Sequence, residues 1–128
     1  MQQFYEKVLP DRGRYCVASI NNGVVKTSFL DNKNEIDELV ESLNDVEGNN
    51  VYFTPGVYEG DRRNQKECLQ VRALFLDIDC KGRDKRNNYD NKKEGLAQTL
   101  GFIEKIGLPE GLIVDSGYGL HFYWPFVE

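Results

Sequence analysis

The spacing of apolar positions in the first half of the chain predicts a hairpin, a helix and a further strand. "RYCVASI" and "VVKTSFL" are β-rich runs on either side of Asn22-Gly23, a pair that tolerates positive φ at both central positions of a tight turn. A helix of about three turns is expected from Asn34, with apolar residues at helical spacing: Ile36, Leu39, Val40 and Leu43. "NVYFTP" predicts the next strand, and the polar residues 56–70 predict a loop or an irregular arm.

The second half has the pattern strand, helix, strand, turn, strand. "VRALFLDID" predicts an apolar strand, and "GLIVD", "SGYG" and "LHFYWPF" predict a strand, a turn and a strand. Between them, a helix from near Asp90 is expected to bury Leu96, Leu100, Ile103 and Gly107 on one side, with Phe102 and Ile106 widening its apolar face. A crossover of this kind brings the ends of the strands at Asp77 and Leu112 together. The order predicts an α+β fold with mixed sheet pairing.

Length and composition fit one globular domain spanning 1–128. The chain has 128 residues, 40% of them hydrophobic and 29% charged, without repeats or low-complexity tracts. We divide it into an N-terminal αβ portion, 1–55, and a portion spanning 70–127. The N-terminus lacks the features of a signal peptide and no apolar run is long enough to cross a membrane, so a cytoplasmic location is expected. Three well-separated cysteines and one histidine argue against a disulfide framework and a structural zinc site.

Positive charge is concentrated in two segments of an otherwise acidic chain. The net charge of −5 disfavours nonspecific nucleic-acid binding by the whole surface. "DRRNQK" nevertheless carries Arg62, Arg63 and Lys66. The segment 81–93 carries Lys81, Arg83, Lys85, Arg86, Lys92 and Lys93. Each is either a solvated basic surface or a contact to a triphosphate or nucleic-acid backbone.

Asp77 and Asp79 are candidate metal ligands. Strand side chains alternate between faces, so both carboxylates are expected on the face of Ala73 and Phe75. Two neighbouring carboxylates repel each other, and a divalent cation relieves the repulsion. Mg²⁺ suits the pair because it takes hard oxygen ligands from carboxylates, water and phosphate. The alternative is that the two aspartates only end the strand and begin a loop.

The only histidine follows a glycine-rich turn. In "SGYGLH", Gly117 and Gly119 permit positive φ and leave backbone N–H groups uncovered for a phosphate, while Ser116 offers a hydroxyl. Strand alternation places His121 on one face, towards a cleft, and Trp124 on the other, in the core. A histidine among aromatic residues is also compatible with a purely structural role in the core.

Together, "LFLDID" and "SGYGLHFYW" resemble motifs I and II of the archaeo-eukaryotic primase superfamily. The likeness is closest to the primase-polymerase domains of phages, plasmids and other mobile elements. It covers residues 50–127, including "NVYFTP", the arginine-bearing "DRRNQK" and "GLP" before the second motif. It implies that the C-terminal half is an RRM-like βαββ palm unit.

The resemblance also implies an activity. Asp77 and Asp79 match the ligands of catalytic Mg²⁺ or Mn²⁺, and His121 matches a triphosphate contact supported by Ser116, Gly117 and Gly119. The implied reaction is attack of a 3′-hydroxyl on the α-phosphate of a nucleotide, with nucleoside triphosphates and a single-stranded DNA template and primer as partners. A fused or coupled helicase or accessory domain is implied as well.

One element of the family pattern is missing. The family's third metal-binding carboxylate lies on a strand beyond motif II, whereas this sequence ends at Glu128, and Asp115 does not occupy the matching position. We therefore expect either the N-terminal part of a longer primase-polymerase or a natural minimal or degenerate relative, in both cases with little or no primer extension of its own. Robust extension would point to Asp115 as a replacement ligand.

Two other functions fit parts of the pattern. A haloacid-dehalogenase-like phosphohydrolase also uses a DxD at a strand end, although Cys80 and Lys81 stand where its glycine and threonine are expected. An inactive module that binds nucleotide or single-stranded nucleic acid through aromatic side chains on an open sheet is the other.

Overall fold

The computed structural model describes residues 1–80, 89–117 and 119–126. The chain forms two compact units, Met1–Arg72 and Ala73–Glu128, and each is described by itself. Within the described residues the architecture is α+β, with three α-helices and two antiparallel sheets. None of the described helices is long and apolar enough to cross a membrane.

The first unit is a four-stranded sheet with two helices. Its elements are α1 (Gln2–Val8), β1 (Arg14–Asn21), β2 (Val24–Leu30), a 3₁₀ turn (Lys33–Glu35), α2 (Ile36–Asn44), β3 (Asn50–Tyr58) and β4 (Cys68–Val71). The strand order is β2-β1-β3-β4. The predicted hairpin is confirmed: Asn22 and Gly23 connect β1 to β2 with φ of 48° and 79°. Both residue types tolerate this left-handed conformation, which gives the turn a twist that matches the strands.

Aromatic packing and one buried cation hold the first unit together. The Phe53 ring packs edge-on against Tyr5 of α1 at 5.4 Å between centroids. The Lys33 ammonium group is buried and lies 2.8 Å from an Asp11 carboxylate oxygen and 3.3 Å from Glu6. Arg72 contacts the same Asp11 oxygen at 2.9 Å. These carboxylates supply the charged partners that a buried lysine requires.

The second unit has the element order βαββ. It consists of β5 (Ala73–Asp79), α3 (Lys92–Ile106), β6 (Leu112–Asp115) and β7 (Gly119–Pro125). The sheet order is β5-β7-β6, and β7 pairs antiparallel with both neighbours. The prediction of mixed pairing is therefore wrong. β5 and β6 do run in the same direction, but β7 lies between them, so that they do not pair and their ends are not adjacent.

The core of the second unit lies between α3 and one face of this sheet. Phe122 is fully buried and its ring stacks on Trp124, with centroids 5.9 Å apart. Ile103 and Leu120 complete the buried cluster, against which Leu76, Ile78, Leu96, Leu100 and Leu108 pack. The alternation predicted for β5 and β7 is confirmed, because the residues on the opposite face of both strands do not belong to this cluster.

Helix α3 begins and ends with clear capping signals. The Asn91 side chain accepts a hydrogen bond from the Glu94 backbone N–H at 2.9 Å. Gly107 follows the last turn with φ of 78°, a left-handed conformation that glycine adopts without strain. The predicted helix is thus confirmed, starting at Lys92.

Two predictions about local structure need correction, and one helix was missed. Residues 56–70 are not one irregular segment, since β3 continues to Tyr58 and β4 begins at Cys68; β4 is a short, mostly exposed edge strand and lacks a strong apolar alternation. Phe102 and Ile106 do not widen the buried face of α3 but are 54% and 51% exposed on its flank. Helix α1 was not predicted, because it is only seven residues long.

Candidate functional site

The sheet face opposite α3 brings side chains of "LFLDID" and "SGYGLHFYW" together. Asp77 of β5 and His121 of β7 are directly paired across the strands, and paired residues share a face. His121 Nε2 lies 3.4 Å from Asp77 Oδ1. The Asp77 side chain is 52% exposed and that of His121 is 24% exposed. Asp77 and His121, which are far apart in the sequence, therefore form one partly exposed cluster.

Asp79 extends the cluster along the same face. Its cross-strand partner is Gly119, which has no side chain to cover the carboxylate. A Cβ atom on Gly119 would overlap the carbonyl oxygen of Ile78. Only glycine therefore permits β7 to approach β5 this closely beside Asp79. Gly119 does not have positive φ, so its role differs from the one expected for the turn.

Aromatic rings border the cluster on the side away from Asp79. The Phe75 ring packs edge-on against the His121 imidazole with centroids 5.1 Å apart, and it contacts Tyr123 at the same distance. Phe75 is 43% exposed, whereas Tyr123 is buried. These contacts restrict the imidazole to an orientation beside Asp77. The sequence had indicated Phe75 only as a residue of the same strand face.

The turn before β7 is closed by its own hydrogen bonds. The Gly117 backbone N–H donates to Asp115 Oδ1 at 2.8 Å, and the Ser116 backbone N–H donates to the Gly119 carbonyl oxygen at 3.1 Å. Gly117 has φ of +97°, as expected for glycine at such a position. The expectation of an uncovered N–H group is therefore wrong at Gly117, because this donor already has an acceptor in Asp115. The Ser116 side chain remains exposed.

Asp115 lies on the other face of the sheet. It pairs with Leu120, a member of the buried cluster under α3, whereas its neighbour Val114 pairs with His121. The Asp115 carboxylate binds the Lys92 ammonium group, with its two oxygens at 2.6 and 2.8 Å. Asp115 is thus not placed to act as a replacement ligand beside Asp77 and Asp79. Sequence reasoning missed Lys92 as its partner, and it also missed the Asp-x-Gly signature of a side-chain-capped turn.

These contacts lower the pKa of Asp115. The largest cause is the hydrogen bond from Lys92, followed by that from the Gly117 backbone N–H, since both favour the ionised carboxylate. A carboxyl group whose pKa is lower in the folded than in the unfolded state stabilises the fold at pH values above its unfolded-state pKa. This contribution is lost as the pH falls through the folded-state pKa.

We expect the stability difference between wild type and Asp115→Asn to shrink as pH is lowered from about 7 to about 3, because protonation removes the ion pair from wild type alone. Denaturant unfolding at each pH measures this difference in the free energy of unfolding. The fluorescence of Trp124, the single tryptophan, reports on the second unit. A difference that stays constant over this range would contradict the assignment.

Asp77 and Asp79 are the residues here that could hold a metal ion. Two carboxylates on one face suit Mg²⁺ or Mn²⁺ when water and phosphate oxygens complete the coordination shell. Across residues 1–80, 89–117 and 119–126, no group of three or more His, Cys, Asp or Glu side chains is arranged to hold a metal. Within these residues, no third carboxylate accordingly joins Asp77 and Asp79 in a metal-binding group.

The basic residues of the two segments singled out in the sequence fall into three groups. Arg62, Arg63 and Lys66 are exposed between β3 and β4 of the first unit. Lys92 and Lys93 belong to the first turn of α3, not to a loop, and Lys92 is paired with Asp115. Lys81, Arg83, Lys85, Arg86 and the terminal Glu128 lie outside the described residues.

Comparison with protein-family models, with curated proteins and with solved structures finds no match for this chain.

Proposed function

We propose that the second unit binds a divalent metal ion together with a nucleoside triphosphate, as part of a primase-polymerase-type nucleotidyltransferase site. Asp77 and Asp79 would hold Mg²⁺ or Mn²⁺, and His121 would contact the phosphates. The resemblance of "LFLDID" and "SGYGLHFYW" to the two primase motifs suggests this assignment. It also names single-stranded DNA as the template and an RRM-like palm as the fold.

The observation that carries the proposal is the pairing of Asp77 with His121. The separation of 3.4 Å between Nε2 and Oδ1 places an imidazole beside a partly exposed carboxylate. A phosphate oxygen that coordinates a metal held by Asp77 would lie within reach of this imidazole.

The chemistry divides between the metal and the chain. A bound divalent ion neutralises phosphate charge and lowers the pKa of an attacking hydroxyl. Asp77 and Asp79, both on β5, would position that ion through their carboxylates. His121, held by Phe75, orients the triphosphate, and such positioning and charge neutralisation supply most of the rate acceleration in phosphoryl transfer.

The exposure of Asp79 is consistent with this arrangement. Asp79 lies at the end of β5 and is exposed, and its cross-strand partner Gly119 carries no side chain that could cover the carboxylate. Phe75, 43% exposed on the same face, offers an apolar surface next to the phosphate contacts. We assign no contact to Gly117 N–H, because Asp115 already accepts its hydrogen bond.

Calorimetric titration with a nucleoside triphosphate, in Mg²⁺ or Mn²⁺ and again in EDTA, tests the proposal. Wild type is expected to bind only with metal present. Replacing Asp77 and Asp79 together by asparagine is expected to weaken metal-dependent binding about 100-fold, and His121→Ala about tenfold, because the first removes the ligands and the second a phosphate contact.

The matched control removes two exposed carboxylates elsewhere in the same unit. Glu104→Gln with Glu110→Gln changes the net charge by the same amount and should leave the affinity unchanged. Binding that is indifferent to metal and to both aspartates would favour a nonenzymatic nucleotide- or strand-binding module. Hydrolysis of a generic phosphoester that is lost in Asp77→Asn would favour a phosphohydrolase.

A further inference from the structure

The Asp115 carboxylate joins three parts of the second unit. Oδ1 accepts the Gly117 backbone N–H at 2.8 Å, and both oxygens accept from the Lys92 ammonium group at 2.6 and 2.8 Å. It therefore connects the end of β6 with the turn at 116–119 and the first turn of α3. Asp77, Asp79 and His121, the residues proposed to hold metal or nucleotide, make none of these three contacts.

We propose that Asp115 is a positioning residue for the candidate site, which holds Gly117 in the turn that precedes β7 and thereby fixes His121 opposite Asp77. The inference rests on the proposed function for its consequence in nucleotide binding. It concerns a role at a distance, since Asp115 lies on the α3 face of the sheet and does not face Asp77.

Two hydrogen bonds hold this turn at Ser116, Gly117 and Gly119. Gly117 has φ of +97°, and the accepting carboxylate two residues earlier holds its N–H in that conformation. The Ser116 backbone N–H then reaches the Gly119 carbonyl oxygen at 3.1 Å. The two bonds together define where β7 begins.

The turn leads directly into β7, which holds a defined register against β5. Gly119 lies opposite Asp79 and against the Ile78 carbonyl, so a shift of β7 would create steric overlap or open the sheet. In the observed register His121 pairs with Asp77 on one side and with Val114 on the other. A slip of one residue would turn His121 to the opposite face.

The two contacts of Asp115 differ in what they act on. The side chains of Asp115 and Lys92 are 61% and 39% exposed, and ion pairs in contact with solvent add little to stability. The hydrogen bond to Gly117, in contrast, acts directly on the backbone of the turn. We therefore assign the positioning effect to the acceptor at Gly117 and only a minor effect to the ion pair.

Three variants distinguish these contacts. Asp115→Asn keeps an oxygen acceptor for Gly117 N–H and removes the charge; Lys92→Met removes the ion pair and keeps the carboxylate; Asp115→Ala removes both contacts. Titration with a nucleoside triphosphate in Mg²⁺ is expected to give affinities within about threefold of wild type for the first two and a loss of about tenfold for Asp115→Ala.

This pattern differs from that of a residue that only stabilises the fold. Equal losses in Lys92→Met and Asp115→Ala would show that the ion pair matters, and would overturn the inference. Tighter binding by Asp115→Ala would overturn it as well, because the carboxylate would then compete with phosphate for Gly117 N–H and Lys92.

A readout without nucleotide separates this inference from the proposed function. Hydrogen exchange measured by NMR should show a Gly117 amide that is protected in wild type and Asp115→Asn and exchanges at least about tenfold faster in Asp115→Ala. The His121 ring signals should shift only in Asp115→Ala. If wild type binds no triphosphate, the proposed function fails, while unchanged exchange in Asp115→Ala would refute the positioning role by itself.

Discussion

Replacing Gly119 by alanine is expected to destabilise the second unit by about 3 kcal/mol, because the new Cβ atom would overlap the backbone carbonyl oxygen of Ile78. That oxygen belongs to the neighbouring strand and cannot rotate away as a flexible side chain could. The strands β5 and β7 must therefore separate locally. Denaturant unfolding monitored by Trp124 fluorescence measures the loss, and metal-dependent triphosphate binding should weaken together with it.

Gly101→Ala is the matched control for this substitution. Gly101 lies on the exposed side of α3, with no atom within 4 Å of the position that a Cβ methyl group would take, and its φ is not positive. Alanine lowers the entropy of the unfolded chain and favours the helix, so a gain of about 0.5–1 kcal/mol is expected. A Gly119→Ala protein as stable as wild type would show that β7 does not approach β5 as closely as described.

Phe122→Ala is expected to destabilise the same unit by about 3–5 kcal/mol. The ring is fully buried in the middle of β7, stacked on Trp124 and packed among the apolar residues of α3. Its removal leaves a cavity that neighbours on two rigid elements cannot fill by small shifts. Chemical unfolding of the variant gives the change in free energy.

Phe102→Ala provides the comparison at an exposed position. Phe102 belongs to α3 and is 54% exposed, so its loss should change stability by no more than about 0.5 kcal/mol. Similar losses for the two variants would mean that the Phe102 flank is covered in solution. A loss below about 1 kcal/mol for Phe122→Ala would contradict the core described here.

The elements with strong local signals were predictable. The turn at Asn22-Gly23 depends on the backbone freedom of its own two residues, and α3 has both a periodic apolar stripe and its capping residues in the sequence. Strand β5 could be recognised because its sequence contains an uninterrupted apolar run, from Ala73 to Leu76. In contrast, β4 is a short edge strand that is specified by its pairing with β3, and its own sequence carries little signal.

The candidate site was predictable only in its parts. Strand alternation was enough to place Asp77 and Asp79 on one face, and His121 and Trp124 on opposite faces, because that periodicity is local. Which strands are neighbours is not local. The parallel strands β5 and β6 were expected to be neighbours. The position of β7 between them could not be predicted from the sequence, because it depends on packing between distant segments.

The amino-acid sequence by itself determined the secondary structure of the second unit, the face of each motif residue and the need for glycine in the turn, since each follows from residue type and periodicity. Only the tertiary structure decided that His121 lies opposite Asp77, that Gly119 is required by contact with Ile78, and that Asp115 faces α3. These are consequences of register and strand order. Both arise from packing between segments that are distant in the chain, which no local pattern encodes.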